Sequence, residues 1–367
     1  MYTIANIRPI GHNVGNHAIS FALRHMLYDV FGRLVSVIDY PASNKHESTA
    51  KAGLTPTTVY EINRYTDGVI VGGGNLYEND EIAIDSRALA ALQPPLLLFS
   101  NSRGRIYDRN GRLAERSDVI PDNKLAALLH HSEMSLSRDS VTHKYIASID
   151  SRDQLGWCPT INVDRYADKL PTLPENEDVG TLISVRTPAL MNVPYWLQSR
   201  IQGHIEDAID LLREQGHRRI RILCNDSRDL DFATAFRYTK RVDAIYASDV
   251  YQYLALVRDA RLVVSYRLHA TLPAVSFGTP VINIVYDERA QALTHDLGLA
   301  PVSLNLVELG DDFHQDLATQ IRKGGFVADM ENGVRADWRR KSEAQFAHLE
   351  QFRNLMQAFL QTASRAP

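Results

Sequence analysis

The sequence predicts an α/β protein of two Rossmann-like domains facing a cleft, with a long C-terminal helix. Three observations carry this reading. Short β-branched apolar runs alternate with helix-period stretches, a proline- and acid-rich break interrupts them, and a second alternating series follows. A chain of 367 residues is long enough for about two domains, and 44% hydrophobic with 23% charged residues is ordinary for a soluble protein with a developed core.

In the first half, strands are expected at residues 3–7, 34–39, 68–71, 96–100 and 134–137. The clearest helix, over residues 15–31, places Ile19, Ala22, Leu23, Met26, Leu27 and Val30 on one apolar face. The break at Leu170-Pro171-Thr172-Leu173-Pro174-Glu175-Asn176-Glu177-Asp178 is poor in apolar residues and reads as a linker. Beyond it, strands are expected at 180–185, 219–224, 243–247, 262–265 and 281–285, with helices at 196–215, 230–239, 250–259 and 268–277. Two such sheets across a cleft are the layout of glycosyltransferase-B-type proteins. The expected division is 1–170 for an N-terminal domain, 171–178 for the linker, 179–334 for a C-terminal domain and 335–367 for the terminal helix. In that helix Trp338, Phe346, Leu349, Phe352, Leu355, Met356 and Phe359 recur at helical spacing beside the basic cluster Arg335, Arg339, Arg340 and Lys341. Peripheral membrane association is one reading of that pattern, and core packing against a neighbouring domain is the commoner one.

A net charge of -4 supplies no field that would favour nucleic acid. The two cysteines, Cys158 and Cys224, lack metal-ligand spacing, and no compact His/Asp/Glu cluster suggests a metal site. The start of the chain lacks the basic and apolar regions of a signal peptide, and no run is long enough to cross a bilayer. The cytoplasm is the expected location, either free or at the inner face of the membrane.

The most informative stretch is Ser265-Tyr266-Arg267-Leu268-His269-Ala270. A β-branched apolar run ends just before it, and an apolar helix that stops at Gly278-Thr279-Pro280 begins within it. Arg267 and His269 are thus expected at the carboxyl end of a parallel strand, the edge where open α/β sheets bind ligands. A guanidinium offers a planar fork to carboxylate or phosphate, and an imidazole exchanges protons near neutral pH. The pair therefore suits an anionic substrate with proton chemistry beside it. The bland alternative is an ion pair for Arg267 and a helix-start hydrogen bond for His269. Arg186 ends an earlier strand in the same way, and two arginines in one cleft can hold a ligand that bears both carboxylate and phosphate.

In the first half, residues 67–75 run a strand into Gly72-Gly73-Gly74-Asn75, a loop that suits close approach of a sugar or an anion. It matches neither a dinucleotide fingerprint nor a phosphate loop. His12, Asn13, Asn16 and His17 surround Gly11 and Gly15 at the first strand-to-helix turn, face the edge of Asn75 and Glu78, and could hydrogen-bond a polyol. Ser137-Arg138-Asp139-Ser140 joins a strand to a helix, with Asp139 or Ser140 as cap and a structural hinge as its other use. Arg103, Arg105, Arg109, Arg112 and Arg116 form a basic loop that could guide an acidic glycan or a diphosphate lipid carrier, although charged loops are usually just solvated.

Taken in order, Gly15 with Ala18 and Ile19, the Gly72-Gly73-Gly74 loop, the segment from Ser137 to Ser140, Arg186, and Arg267-Leu268-His269 followed by Gly278-Thr279-Pro280-Val281-Ile282 resemble the polysaccharide pyruvyl transferase family. The resemblance runs from about Gly11 to Leu297. It implies transfer of the pyruvyl group of phosphoenolpyruvate to two hydroxyls of a saccharide, forming a ketal and releasing phosphate, with phosphoenolpyruvate as co-substrate and no other cofactor. It implies Arg186, Arg267 and His269 as the catalytic donor site. Asn16, His17, Gly73, Gly74, Asn75 and Arg138 are the expected acceptor side, and the acceptor is a polysaccharide repeat unit, lipid-linked or nucleotide-activated. One position departs from the pattern: Gly15-Asn16 stands where the family often has Gly-Asp, so no acidic role is expected there. Two other functions fit the same residues, a nucleotide-sugar glycosyltransferase and a non-catalytic saccharide-binding relative.

Overall fold

A computed structural model describes residues 1–45, 49–79, 81–174, 178–327 and 333–363 of the chain. In the first half, β1 (Tyr2–Arg8), β2 (Val35–Pro41), β3 (Gly68–Gly74) and β4 (Leu96–Asn101) precede a short antiparallel pair, β5 (Ile106–Tyr107) and β6 (Leu113–Ala114). After these come β7 (Met134–Ser137) and β8 (Gln154–Leu155). All except the antiparallel pair form one parallel six-stranded sheet in the order β2-β1-β3-β4-β7-β8. The second half contributes β9 (Thr181–Val185), β10 (Ile220–Cys224), β11 (Asp243–Tyr246), β12 (Leu262–Ser265), β13 (Val281–Val285) and β14 (Ser303–Asn305). These pair in parallel as β11-β10-β9-β12-β13-β14, the doubly wound order.

The residue types explain the sheets. Every residue of β3, β9, β10 and β13 is buried, as continuous apolar runs require when helices cover both faces. The first helix, Val14–Phe31, is capped by Asn13, whose Oδ1 accepts from the Gly15 amide at 3.1 Å, and it ends at Gly32 with a φ of 61°. Its packing on the sheet depends on Gly73, which has a φ of 77° and where a Cβ would lie 2.1 Å from Ile19 Cγ2.

The expected helix over residues 196–215 is instead two helices, Tyr195–Gln198 and Ile201–Glu214, set apart at Ser199 and Arg200. The expected linker over 171–178 falls partly outside the described residues. The terminal helix, Val334–Ala363, spans both halves. Trp338 Nε1 donates to the Leu297 carbonyl of the second half, whereas Phe352 and Met356 pack so closely over Gly68 of the first that a Cβ there would sit 2.7 Å from the Met356 sulfur. Trp338, Leu349, Phe352 and Met356 are buried, so the apolar stripe that a membrane surface would need is occupied by the core. Among the described residues no helix is long and apolar enough to cross a membrane.

Candidate active site

Each sheet reverses its strand order at one place, between β1 and β3 in the first and between β9 and β12 in the second. Loops leaving the carboxyl ends of strands at such a point diverge and leave a crevice. The two crevices face each other and form one cavity of about 540 Å³. From the first half it receives Asn13 and Asn16 after β1, Asn75 after β3 and Arg138 after β7. From the second it receives Arg186 after β9, Arg267 and His269 after β12, and Tyr286, Asp287 and Arg289 after β13.

Two guanidiniums in this cavity have no carboxylate partner among the described residues. Arg138, only 4% exposed, donates to Ser102 Oγ at 2.7 Å, and its Nε is buried without a partner. Arg267 donates to Asn13 Oδ1 at 3.2 Å across the cleft. The other arginines are paired. Arg186 Nη1 lies 3.2 Å from Asp226 and 3.5 Å from Asp229, and Asp226 also binds Arg228. Arg289 bridges Asp287 at 2.9 Å and the fully buried Glu78 of the first half at 2.5 Å. Asp139 and Asp287 offset part of the Arg138 charge from a distance, but neither forms an ion pair with it, which leaves the guanidinium able to take an anionic partner.

His269 is half-buried, with Nε2 shut off from solvent and lacking a partner. Its pKa is held well below the usual imidazole value, first by burial and then by Arg138, Arg267 and Arg289. The ring is therefore neutral in the free protein at pH 7, and an anion that offsets the three arginines would restore its proton. Its position is set by the first half of the molecule. A Cβ on Gly15 would lie 2.7 Å from His269 Nδ1 and 2.9 Å from its Cβ, so only glycine leaves room for the ring against the first turn of helix Val14–Phe31. Gly15→Ala, neutral or favourable for the helix itself, is expected to displace the imidazole and lower turnover by about 10-fold. Melting within a few degrees of wild type alongside that loss checks the claim; unchanged turnover refutes it.

Several expected site residues do other work. His17 does not line the cavity; its Nε2 is 3.0 Å from the Gly11 carbonyl and its Nδ1 is 3.4 Å from Arg8, so it braces the turn that leads into Asn13 and the helix carrying Asn16. Gly73 and Gly74 also lie outside the lining: the first admits Ile19, and the carbonyl of the second accepts from the Ser102 amide at 2.8 Å. Glu78 serves Arg289 and the Gly104 amide rather than a polyol. Asp139 caps helix Ser140–Ile149 through the Thr142 amide at 2.8 Å, and burial pushes its carboxyl up to about 6. The basic loop is tied down in three of its five arginines. Arg103 stacks on Tyr145, Arg105 forks onto Glu288 across the cleft at 2.5–3.1 Å, and Arg116 holds Asp118 at 2.7 Å.

Sequence reasoning passed over Tyr286, Asp287 and Arg289. The rule that found Arg186 and Arg267, the first residues past a parallel strand, applies equally to the end of β13.

The family model described as polysaccharide pyruvyl transferase matches residues 13–288, which include every cavity residue from Asn13 to Asp287. The chain belongs to the polysaccharide pyruvyl transferase family. No curated protein sequence gives a match. Among solved structures, the S. aureus MnaA-UDP co-structure is similar to this pyruvyl transferase family member with a TM-score of 0.55 at 12% identity, covering 97% of this chain and 98% of that one. The UDP-GlcNAc 2-epimerase from Neisseria meningitidis bound to UDP-GlcNAc gives a TM-score of 0.52 at 11% identity, covering 99% of both chains. A putative UDP-N-acetylglucosamine 2-epimerase from Listeria monocytogenes gives 0.53 at 13% identity, covering 88% of this chain and 92% of that one. At such identities the likeness is one of fold, and that fold is the glycosyltransferase-B type.

Proposed function

We propose that this family member transfers the pyruvyl group of phosphoenolpyruvate to two hydroxyls of a saccharide, giving a ketal and free phosphate. The observation that carries the reading is the pair Arg138 and Arg267, two cavity guanidiniums without carboxylate partners beside an unpartnered imidazole. A donor with a carboxylate and a phosphate supplies the missing negative charge at two points.

The chemistry then follows from the same groups. Donor binding raises the His269 pKa, and the imidazolium protonates the methylene carbon of the enol. The first acceptor hydroxyl attacks the adjacent carbon and returns its proton to His269. The carbon–oxygen bond to phosphate breaks, its electron pair leaving with the phosphate, and the second hydroxyl closes the ketal. Arg138, Arg186 and Arg267 stabilise the charge on donor and leaving group. Asn16 and Asn75 offer neutral hydrogen bonds to the acceptor sugar, which discriminate among hydroxyl patterns. The acceptor is a repeat unit of a polysaccharide on a lipid or nucleotide carrier, and the reaction takes place in the cytoplasm or at the inner membrane face.

A phosphate-release assay with phosphoenolpyruvate across a panel of saccharide acceptors tests the proposal. Release that depends on both donor and acceptor is the expected result. A protein stabilised by uridine or guanosine diphosphates and indifferent to phosphoenolpyruvate in a thermal-shift panel would be a glycosyltransferase instead.

A further inference from the structure

The end of β13 brings Tyr286 into the cavity beside the residues that end β9 and β12. Pairing of β12 with β13 runs from Val263 opposite Val281 to Ser265 opposite Asn283, so the chain leaves the two neighbouring strands at the same edge. Tyr286 is half-buried, and among the described residues its hydroxyl makes no hydrogen bond to the protein. Its charged neighbours are Arg267, Asp287, Arg186 and Arg289. A phenol in a ligand cavity with no protein partner, near three guanidiniums, is placed to hydrogen-bond an anion, and those cations oppose the burial and the Asp287 carboxylate that disfavour its conjugate base.

We propose that Tyr286 is the acid that protonates the departing phosphate and the base that accepts the proton of the second acceptor hydroxyl, an assignment that rests on the pyruvyl-transfer reading above. His269 completes its own cycle in the first half of the reaction, in which it gives a proton to carbon and recovers one from the first hydroxyl. The second half needs a different group. As the carbon–oxygen bond to phosphate breaks, the electron pair stays on that oxygen and the phenol proton moves to it, giving hydrogen phosphate and a phenolate. Arg186 and Arg267 hold the phenolate. The second hydroxyl then adds to the oxocarbenium carbon, its proton returns to the phenolate, and both Tyr286 and His269 end as they began. Burial, with Asp287, keeps the phenol protonated in the free protein against the lowering pull of Arg267, Arg186 and Arg289, so the acid form is present at the start.

Tyr286→Phe keeps the ring and removes only the hydroxyl. It is expected to slow phosphate release by about 30- to 100-fold and to leave the calorimetric Kd for phosphoenolpyruvate within about threefold. The decisive readout is exchange of the donor's methylene hydrogens with D2O in the presence of acceptor. That exchange reports the first half alone, and should persist in Tyr286→Phe but vanish in His269→Gln. Phosphate release at near wild-type rate in Tyr286→Phe overturns the assignment, and so does loss of exchange or of donor binding in that variant. Where Tyr286→Phe does not fold, 3-fluorotyrosine at position 286 preserves shape and makes the phenol more acidic; an unaltered rate of phosphate release then counts against the proposal. If the wild-type protein releases no phosphate with any acceptor, pyruvyl transfer itself fails, a result distinct from all of these.

Discussion

His269→Gln lowers phosphate release from phosphoenolpyruvate about 10³-fold and leaves donor affinity within about threefold. Glutamine keeps a hydrogen-bonding amide near the position of the ring but has no proton to give to carbon. The size of the effect follows from the state of the ring in the two forms of the protein. Without ligand, burial and three neighbouring guanidiniums hold His269 neutral. A trianionic donor cancels that field, so binding at neutral pH takes up a proton on the imidazole. The sign is fixed: affinity for the donor weakens as pH rises through the His269 pKa of the complex, and levels off below its pKa in the free protein. Titrations in two buffers of different ionisation enthalpy measure that uptake. It should be present in wild type and absent in His269→Gln. Near-normal turnover in a folded His269→Gln protein removes the residue from the mechanism.

Arg138→Ala and Arg267→Ala together weaken donor binding by about 4 kcal/mol, roughly 10³-fold, and each alone by about half of that free energy. Neither guanidinium forms an ion pair with a carboxylate among the described residues, so neither has to break one to meet the donor. Arg186 differs, because Asp226 and Asp229 already neutralise part of its charge. Its removal leaves those two carboxylates facing the anion, and a loss comparable to either single variant is expected through repulsion. Calorimetry with phosphoenolpyruvate measures all four proteins. A double variant that binds as tightly as wild type would sink the assignment, as would a soaked crystal with phosphate seated on Arg103 and Arg105.

These expectations show where the sequence was legible. The strands ending at Arg186 and before Arg267 were readable because central parallel strands are apolar on both faces and leave unbroken β-branched runs. Helix Pro56–Tyr65 buries only Thr58, Val59 and Ile62, too thin a face to register as a period. The two-residue strands β5, β6 and β8 leave no pattern at all. By sequence Arg138 reads as a hinge or acceptor contact, because nothing near it in the chain speaks of charge on the donor. Only the order of the first sheet, and the way the second faces it, set Arg138 against Arg267 and His269. Long-range pairing likewise occupies Arg105, through Glu288, and Arg116, which reaches Glu78 at 3.6 Å as well as its neighbour Asp118. Tyr286 and Arg289 were legible in principle, since they follow β13 as Arg186 follows β9.

The chain passes between the two halves twice, once between β8 and β9 and again through helix Val334–Ala363, anchored by Trp338 at one end and by Phe352 and Met356 at the other. One continuous core also runs through both halves, from Ile4 and Val14 of the first to Leu182 and Val263 of the second, so the cleft walls stand on a common foundation. The ion pairs of Arg289 with Glu78 and of Arg105 with Glu288 rivet the two walls together above that core. Arg138 and Gly15 on one wall are thereby held in register with Arg267 and His269 on the other, so the entropy of aligning four groups is lost once, when the chain folds, and not again at every turnover.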